Sequence, residues 1–501
     1  MIETDKKVIT HINWEDKEYL KSLRYPVKRL QNRIVKAKKL GRIRMVKKLQ
    51  TLLVKSLNAR VLAVKRVSEN KGKRTAGVDG ELLDTSAKKD ICVNELKIDL
   101  VTYKSQPLKR IEIPKKNGKM RPLGIPTMFD RALQALYKQA LEPVSEVTAD
   151  LNSYGFRAYR STQDAMKQIW NCTCRKTSKQ WVLEADIKGC FDNISHRWIY
   201  DNIELDNRLL KQWLKSGFIK DGQLFPTISG TPQGGIISPI LANMVLDGIE
   251  AIVKKHSKVI AKKDKIDGKW VVTHYKNLNF NFIRYADDFV IIGDNPKALR
   301  LLQKEIEEFL SIRGLELSKE KTHITNIHDG FDFLGFNFKK YSDGKLIVHP
   351  TKDGIKSFKY KLKQIFKRYR ASSVSLLISK LNPVIRGWGN YYRYVNSKDI
   401  FSTLDKYIWY KSLNWVKRVH HRKQTIKYYH KYFKPFDKYK IETLNDGTRA
   451  VAPLTTIKIE KFVKIQSSAN PFDSTYDSYF LQRWSNLKAK KLTNKLLALN
   501  A

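Results

Sequence analysis

Residues 282–293 read FIRYADDFVIIG, with apolar, β-prone runs on both sides of the pair Asp287 and Asp288. Two such runs separated by a short polar segment predict a β-hairpin with acidic side chains at its turn. Two acids that served only to face water would not need to lie directly between apolar strands. This stretch therefore predicts a buried hairpin that presents two carboxylates at its tip.

A third carboxylate ends a second apolar stretch, WVLEADIKGCFDNI, at residues 181–194. The stretch predicts a buried strand that ends at Asp186 and is followed by a turn and a helix. A strand end and a neighbouring hairpin turn can bring Asp186, Asp287 and Asp288 together. Clustered carboxylates are unfavourable unless cations neutralise them, and hard oxygen ligands favour Mg²⁺. Two such ions would suit in-line phosphoryl transfer. The alternative is that each Asp at a strand end simply caps a turn.

Two further motifs carry groups suited to a nucleotide. LKRIEIPKKNGKMRPLGIP (residues 108–126) alternates around an Asn-Gly pair, which predicts a β-hairpin carrying Lys115 and Arg121 near its tip. Cations there could hold a triphosphate and neutralise its leaving group, or could form only a solvated basic turn. The glycines of TPQGG (residues 231–235) allow close backbone approach to a substrate, or serve as a structural turn before an apolar helix.

The chain is strongly basic, with 96 Lys and Arg against 49 Asp and Glu among 501 residues and a net charge of +47. An excess of this size suits contact with a polyanion, of which nucleic acid is the obvious one. The charge is concentrated in amphipathic helices predicted over residues 26–67, and in residues 351–440, which contain 23 Lys and Arg but four Asp and Glu. Hydrophobic residues still make up 42%, so disorder is excluded.

The lengths of the apolar runs argue against a membrane protein, and the spacing of the cysteines argues against a zinc or disulfide scaffold. No apolar run approaches the ~18 residues that a membrane span needs. The N-terminal residues resemble neither a signal nor a transit peptide, so we expect a cytoplasmic protein of bacterial type, associated with the nucleoid or an RNP. The four cysteines form no CxxC pairs, so neither a zinc knuckle nor a disulfide framework is expected.

Taken in order, these motifs resemble the blocks of group II intron reverse transcriptases. The resemblance rests on the YADD box, TPQGGIISPILAN, ADIKGCFDNISH, IPKKNGKMRPLGIPTMFDRALQ and FDFLGF, the last at residues 331–336. LNPVIRGWGNYYRY (residues 381–394) resembles the maturase domain X, or thumb. The resemblance implies a right-hand polymerase of α/β (α+β) class, with a mixed sheet in the fingers and palm, an α-helical thumb and a basic C-terminal domain.

The resemblance also implies a domain organisation. Residues 1–80 would be a basic helical extension of the fingers, 81–345 the fingers and palm, 346–425 the thumb or domain X, and 426–501 a basic DNA-binding domain with a truncated C-terminus. NPFDSTYDSYFLQRW (residues 470–484) resembles the sequence that leads into an HNH nuclease, whose CxxC pairs are missing from this chain. No endonuclease activity is therefore expected.

Roles for individual residues follow from the same resemblance. Two Mg²⁺ ions would be held by Asp186, Asp287, Asp288 and the Ile187 carbonyl. The incoming dNTP would contact Lys115, Arg121 and Gln233. Phe191 would exclude a ribose 2′-OH and so select dNTPs, unless it is simply a core aromatic.

Primer and RNA contacts are implied as well. Tyr285 would contact the primer terminus, and Leu334 and Gly335 would support the primer strand. Further candidates lie in the N-terminal helices and domain X and would bind RNA: Arg29, Arg33, a basic contact at position 37, Arg386, Trp388 and Tyr391. The aromatic members either stack on bases or pack the thumb.

The implied function is RNA-directed DNA synthesis, with assistance to the splicing of the intron RNA and its copying into target DNA by target-primed reverse transcription. The implied partners are group II intron RNA, an RNA template with a DNA primer, target DNA and dNTPs, with no membrane. Two alternatives remain open. One is a polymerase of this type recruited to host defence or repair. The other is an RNA-folding maturase without polymerase activity, which the intact carboxylates disfavour.

Overall fold

The computed structural model of this protein describes residues 11–114, 118, 120–257, 259–266, 269–277, 280–420, 425–436 and 441–486. The chain divides into two units. Unit 1 comprises Met1–Ser161, Leu183–Ile324 and Ile465–Leu481, and unit 2 comprises Thr162–Val182, Thr325–Lys464 and Gln482–Ala501.

The helices occupy the segments in which apolar residues recur at three- and four-residue spacing. In chain order they are α1 (Lys17–Ser22), α2 (Arg24–Lys39), α3 (Ile43–Lys55), α4 (Leu57–Glu69), α5 (Ser86–Glu95), α6 (Met128–Thr148), α7 (Thr162–Thr173), α8 (Cys190–Asn193), α9 (His196–Asn202), α10 (Asn207–Leu214), α11 (Ser238–Leu246), α12 (Ile249–Lys255), α13 (Pro296–Ser311), α14 (Lys352–Arg368), α15 (Val374–Tyr392), α16 (Lys398–Val419) and α17 (Thr425–Tyr432).

The strands form several small sheets. In chain order they are β1 (Leu108–Pro114), β2 (Met120–Ile125), β3 (Trp181–Asp186), β4 (Phe218–Lys220), β5 (Gln223–Phe225), β6 (Val259–Ile266), β7 (Lys269–Asn277), β8 (Phe280–Tyr285), β9 (Asp288–Gly293), β10 (His323–Asn326), β11 (Phe331–Phe333), β12 (Phe336–Lys340), β13 (Leu346–Pro350), β14 (Phe433–Phe436) and β15 (Ile441–Leu444).

The basic N-terminal helices pack on one long helix of unit 1. α2, α3 and α4 each contact α6, and their apolar faces are fully buried at Ile34, Leu53 and Val64. Each such side chain contributes about 1.5–3 kcal/mol by leaving water. The helices predicted over residues 26–67 are therefore confirmed.

The acidic strands lie in a four-stranded sheet of order β10-β3-β9-β8. β8 and β9 are antiparallel, with Tyr285 opposite Asp288, so that Ala286 and Asp287 form a two-residue turn. Ala286 has φ 59°, in the left-handed region that such tight turns use. β3 ends at Asp186 beside β9. The predicted hairpin and the predicted acidic strand end are thus both confirmed.

A second sheet contains the predicted basic hairpin. β1 pairs with β2 in antiparallel register from Lys109↔Ile125 to Pro114↔Met120. This sheet is wider than the sequence indicated, because β4 adds to β1 in parallel and β5 pairs with β4. The hairpin of β6 and β7 was not predicted, because lysines interrupt the apolar alternation that would indicate strands in that stretch. The two strands nevertheless pair through their backbones.

In unit 2, a three-stranded antiparallel sheet, β11-β12-β13, is followed by the helices α14, α15 and α16. α14 contacts both α15 and α16, as expected for the predicted helical region. Gly389 of α15 allows close packing, because a Cβ there would meet Ile457 Cδ1 at 2.2 Å. β14 and β15 form a separate antiparallel pair.

Residues Ile465–Leu481 lie within the predicted domain at 426–501 but belong to unit 1. Lys39 Nζ is 2.5 Å from Asp473 Oδ2, and Arg160 Nη2 donates to the Ala469 carbonyl at 3.2 Å. These contacts attach the segment to unit 1, and the predicted domain boundaries otherwise stay predictions. The sequence also predicts a Lys-rich helix at the end of the chain, and that segment lies outside the described residues. None of the described helices combines the length and apolarity required to cross a membrane.

Candidate active site

Three carboxylates meet in unit 1 at the tip of the β8–β9 hairpin. Asp287 occupies the turn, Asp288 begins β9 and Asp186 ends β3. Asp186 lies close enough to Asp288 to raise the pKa of that carboxyl, and Lys321 Nζ lies 2.9 Å from Asp186 Oδ2. The structure therefore brings together the three predicted acids, together with a lysine that the sequence analysis did not select.

Crowding raises the pKa of both carboxyls on the hairpin. For Asp287, burial is the main cause, the charge of Asp186 adds to it, and Lys321 and Arg121 oppose it. The pKa of Asp288 is raised to about 7 by burial, by the hydrogen bond with Asp186 and by the two neighbouring acids. Like charges held this close favour the neutral form unless a cation is near. The site is therefore one that a cation would stabilise.

The donor set fits a divalent cation. Carboxylate oxygens are the ligands that hard divalent ions prefer. Ile187 and Leu317 form an antiparallel bridge in which the hydrogen bonds are made by the flanking residues, Lys188 N to Glu316 O at 3.0 Å and Ser318 N to Asp186 O at 2.8 Å. This bridge therefore does not use the Ile187 carbonyl.

Lys321 supplies positive charge to the acids in this arrangement. Its pKa is raised by the hydrogen bond with Asp186 and by the charges of Asp186, Asp288 and Asp287. Within the described ranges, no three His, Cys, Asp or Glu side chains form a closed metal-binding group. The three aspartates nevertheless interact, since the charge of Asp186 raises the pKa of both Asp287 and Asp288.

Of the two predicted triphosphate contacts, the structure places Arg121 near the acids. Arg121 lies on β2 opposite Ile113, and its charge lowers the pKa of Asp287. Lys115 lies outside the described residues. Arg121 is exposed, so its guanidinium is accessible to a ligand beside the carboxylates.

The TPQGG loop is hydrogen-bonded through its backbone to both the basic hairpin and helix α8. Gln233 O accepts a hydrogen bond from Gly124 N at 2.9 Å, and Thr231 N donates to Phe191 O at 2.6 Å. Gly234 has φ 124°, and a Cβ there would meet Gly124 O at 2.8 Å. The glycine is therefore needed for close backbone packing, which agrees with the structural alternative and still leaves the Gln233 side chain at the surface.

The two remaining nucleotide candidates adjoin each other. Gln233 Nε2 donates to both carboxylate oxygens of Asp192 at 3.1 Å, and Asp192 follows Phe191 in α8. The Phe191 side chain is partly exposed and its ring meets that of Phe156 edge to face, with centroids 6.2 Å apart. Phe191 is thus not a fully buried core aromatic.

A buried ion-pair network that was not predicted lies beneath the hairpin. Arg284, on β8, is 0% exposed. Its guanidinium pairs with Asp247, lies 3.9 Å from Asp150 Oδ2 and donates to Asn243 Oδ1 at 3.3 Å. Burial raises the pKa of Asp247, and the charge of Arg284 opposes that shift. The only sequence signal was a charged residue inside an otherwise apolar strand.

A loop that was also not predicted lies directly on the hairpin. Arg284 N donates to Asn152 O at 3.0 Å, and Tyr154 N donates to Arg284 O at 2.9 Å. A Cβ at Gly155 would come within 2.3 Å of Ala286 N. The local sequence SYGFR carries no sign of this contact, because its partner strand is more than a hundred residues away.

Gly155→Ala should therefore displace the acidic turn. We expect loss of at least about 2 kcal/mol of unfolding free energy, as for overpacking against backbone that has no free space, together with a fall in any metal-dependent activity. Denaturant unfolding measures the first effect. The control is Gly387→Ala on α15, where a Cβ meets no atom within 4 Å; it should be neutral or stabilising by up to about 1 kcal/mol. Equal stability of the two variants would contradict this prediction.

The predicted primer contacts are found in different units. Tyr285 is half-buried at the end of β8 in unit 1. Leu334 and Gly335 form the two-residue turn between β11 and β12 in unit 2, with φ 52° and 80°. The Leu334 carbonyl accepts a hydrogen bond from Tyr391 Oη at 2.8 Å. The roles of these residues at a primer stay predictions.

The aromatic residues of domain X pack within unit 2. The Tyr391 ring stacks on Phe336 with centroids 5.2 Å apart, and the Trp388 ring stacks on Phe358 at 4.7 Å. These contacts favour the packing alternative over stacking on bases. Arg386, in contrast, is exposed on α15 and accessible to RNA.

The basic candidates of α2 lie on one exposed face. Arg29 and Arg33 are exposed and four residues apart, and Lys36 continues the same face. Position 37 is an alanine, and Ala37 is buried. The prediction of a basic contact at that position is therefore wrong, and Lys36 provides the charge instead.

Three sequence-family profiles match the chain. They are "N-terminal domain of reverse transcriptase" over residues 11–96, "Reverse transcriptase (RNA-dependent DNA polymerase)" over 113–338, and "Group II intron, maturase-specific domain" over 355–433. The acid cluster and the described nucleotide candidates fall within the second of these spans.

Similar proteins extend these matches. The chain is 29% identical over 411 residues to the group II intron-encoded protein LtrA of Lactococcus lactis, covering 66% of this chain and 68% of that protein. It is 31% identical over 340 residues to protein YkfC of Escherichia coli, covering 62% and 88% respectively. Among solved structures, telomerase from Candida albicans aligns with TM-score 0.36 and 14% identity over 66% of this chain and 60% of that chain.

Proposed function

Because this chain belongs to the family of group II intron-encoded reverse transcriptases and maturases, we propose that it copies RNA into DNA by two-metal nucleotidyl transfer at Asp186, Asp287 and Asp288. Members of this family are RNA-directed DNA polymerases that assist intron splicing and require a divalent metal cation. The observation that carries the proposal is the position of Asp186 at the end of β3, beside Asp287 and Asp288 at the tip of the β8–β9 hairpin, within the span that matches the polymerase.

Each acid has a defined part in this chemistry. Bound Mg²⁺ ions would polarise the attacking and leaving oxygens of the phosphoryl transfer. Asp186, Asp287, Asp288 and the Ile187 carbonyl would hold the ions. Lys321 contacts Asp186 and partly offsets the negative charge of the cluster.

Nucleotide selection is assigned to residues around this cluster. Arg121 and Lys115 would hold the triphosphate, because guanidinium and ammonium groups bind phosphate strongly. Gln233 would contact the incoming nucleotide from the TPQGG loop. The partly exposed ring of Phe191 would occupy the space that a ribose 2′-OH needs, so that dNTPs are selected over rNTPs.

RNA binding is assigned to the basic surfaces. The exposed face of α2 with Arg29, Arg33 and Lys36 would contact template RNA, and α15 with Arg386 would contact intron RNA. Electrostatic binding of this kind weakens with salt. The logarithm of the binding constant falls by roughly 0.7–0.9 for each phosphate neutralised when the salt concentration rises tenfold. Binding of target DNA, followed by target-primed copying of the intron, would be the biological use of the polymerase.

Primer extension by the purified protein tests the proposal. With an RNA template, a DNA primer, dNTPs and Mg²⁺, we expect full-length cDNA, and we expect EDTA to abolish it. Splicing of a group II intron that contains the gene should also accelerate when the protein is added. Accelerated splicing without any extension would instead favour a maturase that has no polymerase activity.

If the protein extends primers and its gene lies outside any folded intron, the role in host defence or repair would be favoured. In that case the polymerase assignment would stand, and only the splicing and mobility assignments would be contradicted.

A further inference from the structure

An exposed aromatic residue with an unfavourable backbone conformation lies beside the candidate nucleotide-selecting residue. Phe156 has φ 57°, and its side chain is 52% exposed. The left-handed region is unfavourable for a residue that has a Cβ, and an exposed ring gains little from burial. Strain of this kind persists where surrounding contacts enforce it, and it is found most often at functional sites.

Contacts on both sides of Phe156 enforce this conformation. On one side, the Gly155 carbonyl accepts a hydrogen bond from Asn243 Nδ2 at 2.8 Å, and Gly155 has no space for a Cβ against the acidic hairpin. On the other side, Arg157 Nε donates to Glu146 Oε1 at 2.9 Å. The loop is therefore attached to the β8–β9 hairpin, and the Phe156 ring projects from a defined position.

That ring meets Phe191. The two ring centroids are 6.2 Å apart and the ring planes make an angle of 81°, the edge-to-face geometry that aromatic pairs prefer. The backbone of Phe191 is held separately, because Thr231 N donates to its carbonyl at 2.6 Å. The backbone contact positions Phe191, and the contact with Phe156 restricts the rotation of its ring.

We infer that Phe156 is a positioning residue that holds the Phe191 ring against the sugar of the incoming nucleotide and thereby sets the discrimination between dNTPs and rNTPs. This inference rests on the proposed role of Phe191. A ribonucleotide differs at the sugar by one hydroxyl group, so a ring that can rotate away would admit it. An edge-to-face neighbour opposes that rotation, and this gives the exposed phenylalanine a role at a position where its backbone is strained.

Phe156→Gly separates this role from a purely structural one. It removes the ring and also relieves the strain, since glycine adopts positive φ readily. We expect the ratio of kcat/KM for dNTP over rNTP to fall by about tenfold, the upper end of what an aromatic pair contributes. The kcat for dNTP should stay within about twofold of wild type, and the melting temperature should not fall. Phe156→Tyr keeps the ring and should keep the discrimination.

Tyr159→Gly is the matched control. Tyr159 lies in the same loop, has φ 60° and is 51% exposed, but its ring packs on Phe480 with centroids 5.3 Å apart. The substitution removes an aromatic ring and relieves strain in the same way. Discrimination should remain at the wild-type value. An equal loss of discrimination in both variants would indicate a general effect on the loop and would overturn the inference.

Phe191→Ala distinguishes failure of this inference from failure of the role on which it rests. If Phe191→Ala leaves discrimination unchanged, the proposed role of Phe191 fails. If Phe191→Ala relaxes discrimination while Phe156→Gly leaves it unchanged, only the positioning role is overturned. In the double variant, Phe156→Gly should add no further loss, because residues that act through one contact are not additive.

Discussion

Replacing Asp287 with asparagine should reduce Mg²⁺-dependent cDNA synthesis by about a thousandfold or more. Stabilisation of the transferring phosphate by metal is worth several kcal/mol, and each 1.36 kcal/mol is a factor of ten in rate. The amide keeps the shape of the side chain but loses the charge that would help to hold the cations. Because Asp287 lies in a turn, close to Asp186 and Asp288, no change in the fold is expected. Single-turnover primer extension measures the effect.

RNA binding provides the internal control for this variant. The affinity for template RNA should stay within about threefold of wild type, because it depends on basic surfaces and not on the acid cluster. Asp294→Asn is the matched substitution, since Asp294 is an exposed aspartate immediately beyond the end of β9. It should leave extension unchanged. Retention of cDNA synthesis by Asp287→Asn would disprove the metal assignment.

Replacing Arg284 with methionine should lower the free energy of unfolding by about 3–5 kcal/mol. Removing one partner of a buried ion pair leaves the other charge without compensation. Here the remaining charges are Asp247 and Asp150, on which the fully buried guanidinium acts. Because Arg284 lies two residues before the turn at Ala286 and Asp287, we also expect cDNA synthesis to fall. Denaturant unfolding and primer extension measure the two effects.

A second substitution tests the cause. Asp247→Asn in the Arg284→Met background should recover part of the lost stability, because it removes one of the uncompensated charges. Exposed Arg300, on α13, serves as the matched control, and Arg300→Met should change stability by no more than about 0.5 kcal/mol. If Arg284→Met behaved like Arg300→Met, the network would have no part in stabilising the hairpin.

Short-range sequence patterns were sufficient to predict the family and the acid cluster. The α/β (α+β) right-hand polymerase class, the reverse transcriptase activity and the assistance to splicing are confirmed by the family to which the chain belongs. The positions of Asp186, Asp287 and Asp288 in the fold were predictable, because strand ends and tight turns are encoded by the residues next to them. The metal and nucleotide roles of individual side chains stay predictions.

Residues that act across long sequence separations escaped prediction. Lys321 reaches Asp186 over more than a hundred residues of chain, and its sequence neighbours give no sign of that contact. Trp388 and Tyr391 show the opposite difficulty, because an aromatic side chain has the same pattern whether it packs in a helical bundle or stacks on a base. Their contacts in unit 2 favour packing.

The sequence by itself determined the local elements and the chemistry that they carry: an acidic hairpin, an acidic strand end, a basic hairpin and basic amphipathic helices. Only the tertiary structure decided which loop supports the hairpin, which lysine contacts the acids and which ring contacts Phe191. The physical reason is that apolar periodicity and turn chemistry act between near neighbours in sequence. Close packing, as between Gly155 and Ala286, and charge pairing in a buried site depend on residues that only the fold brings together.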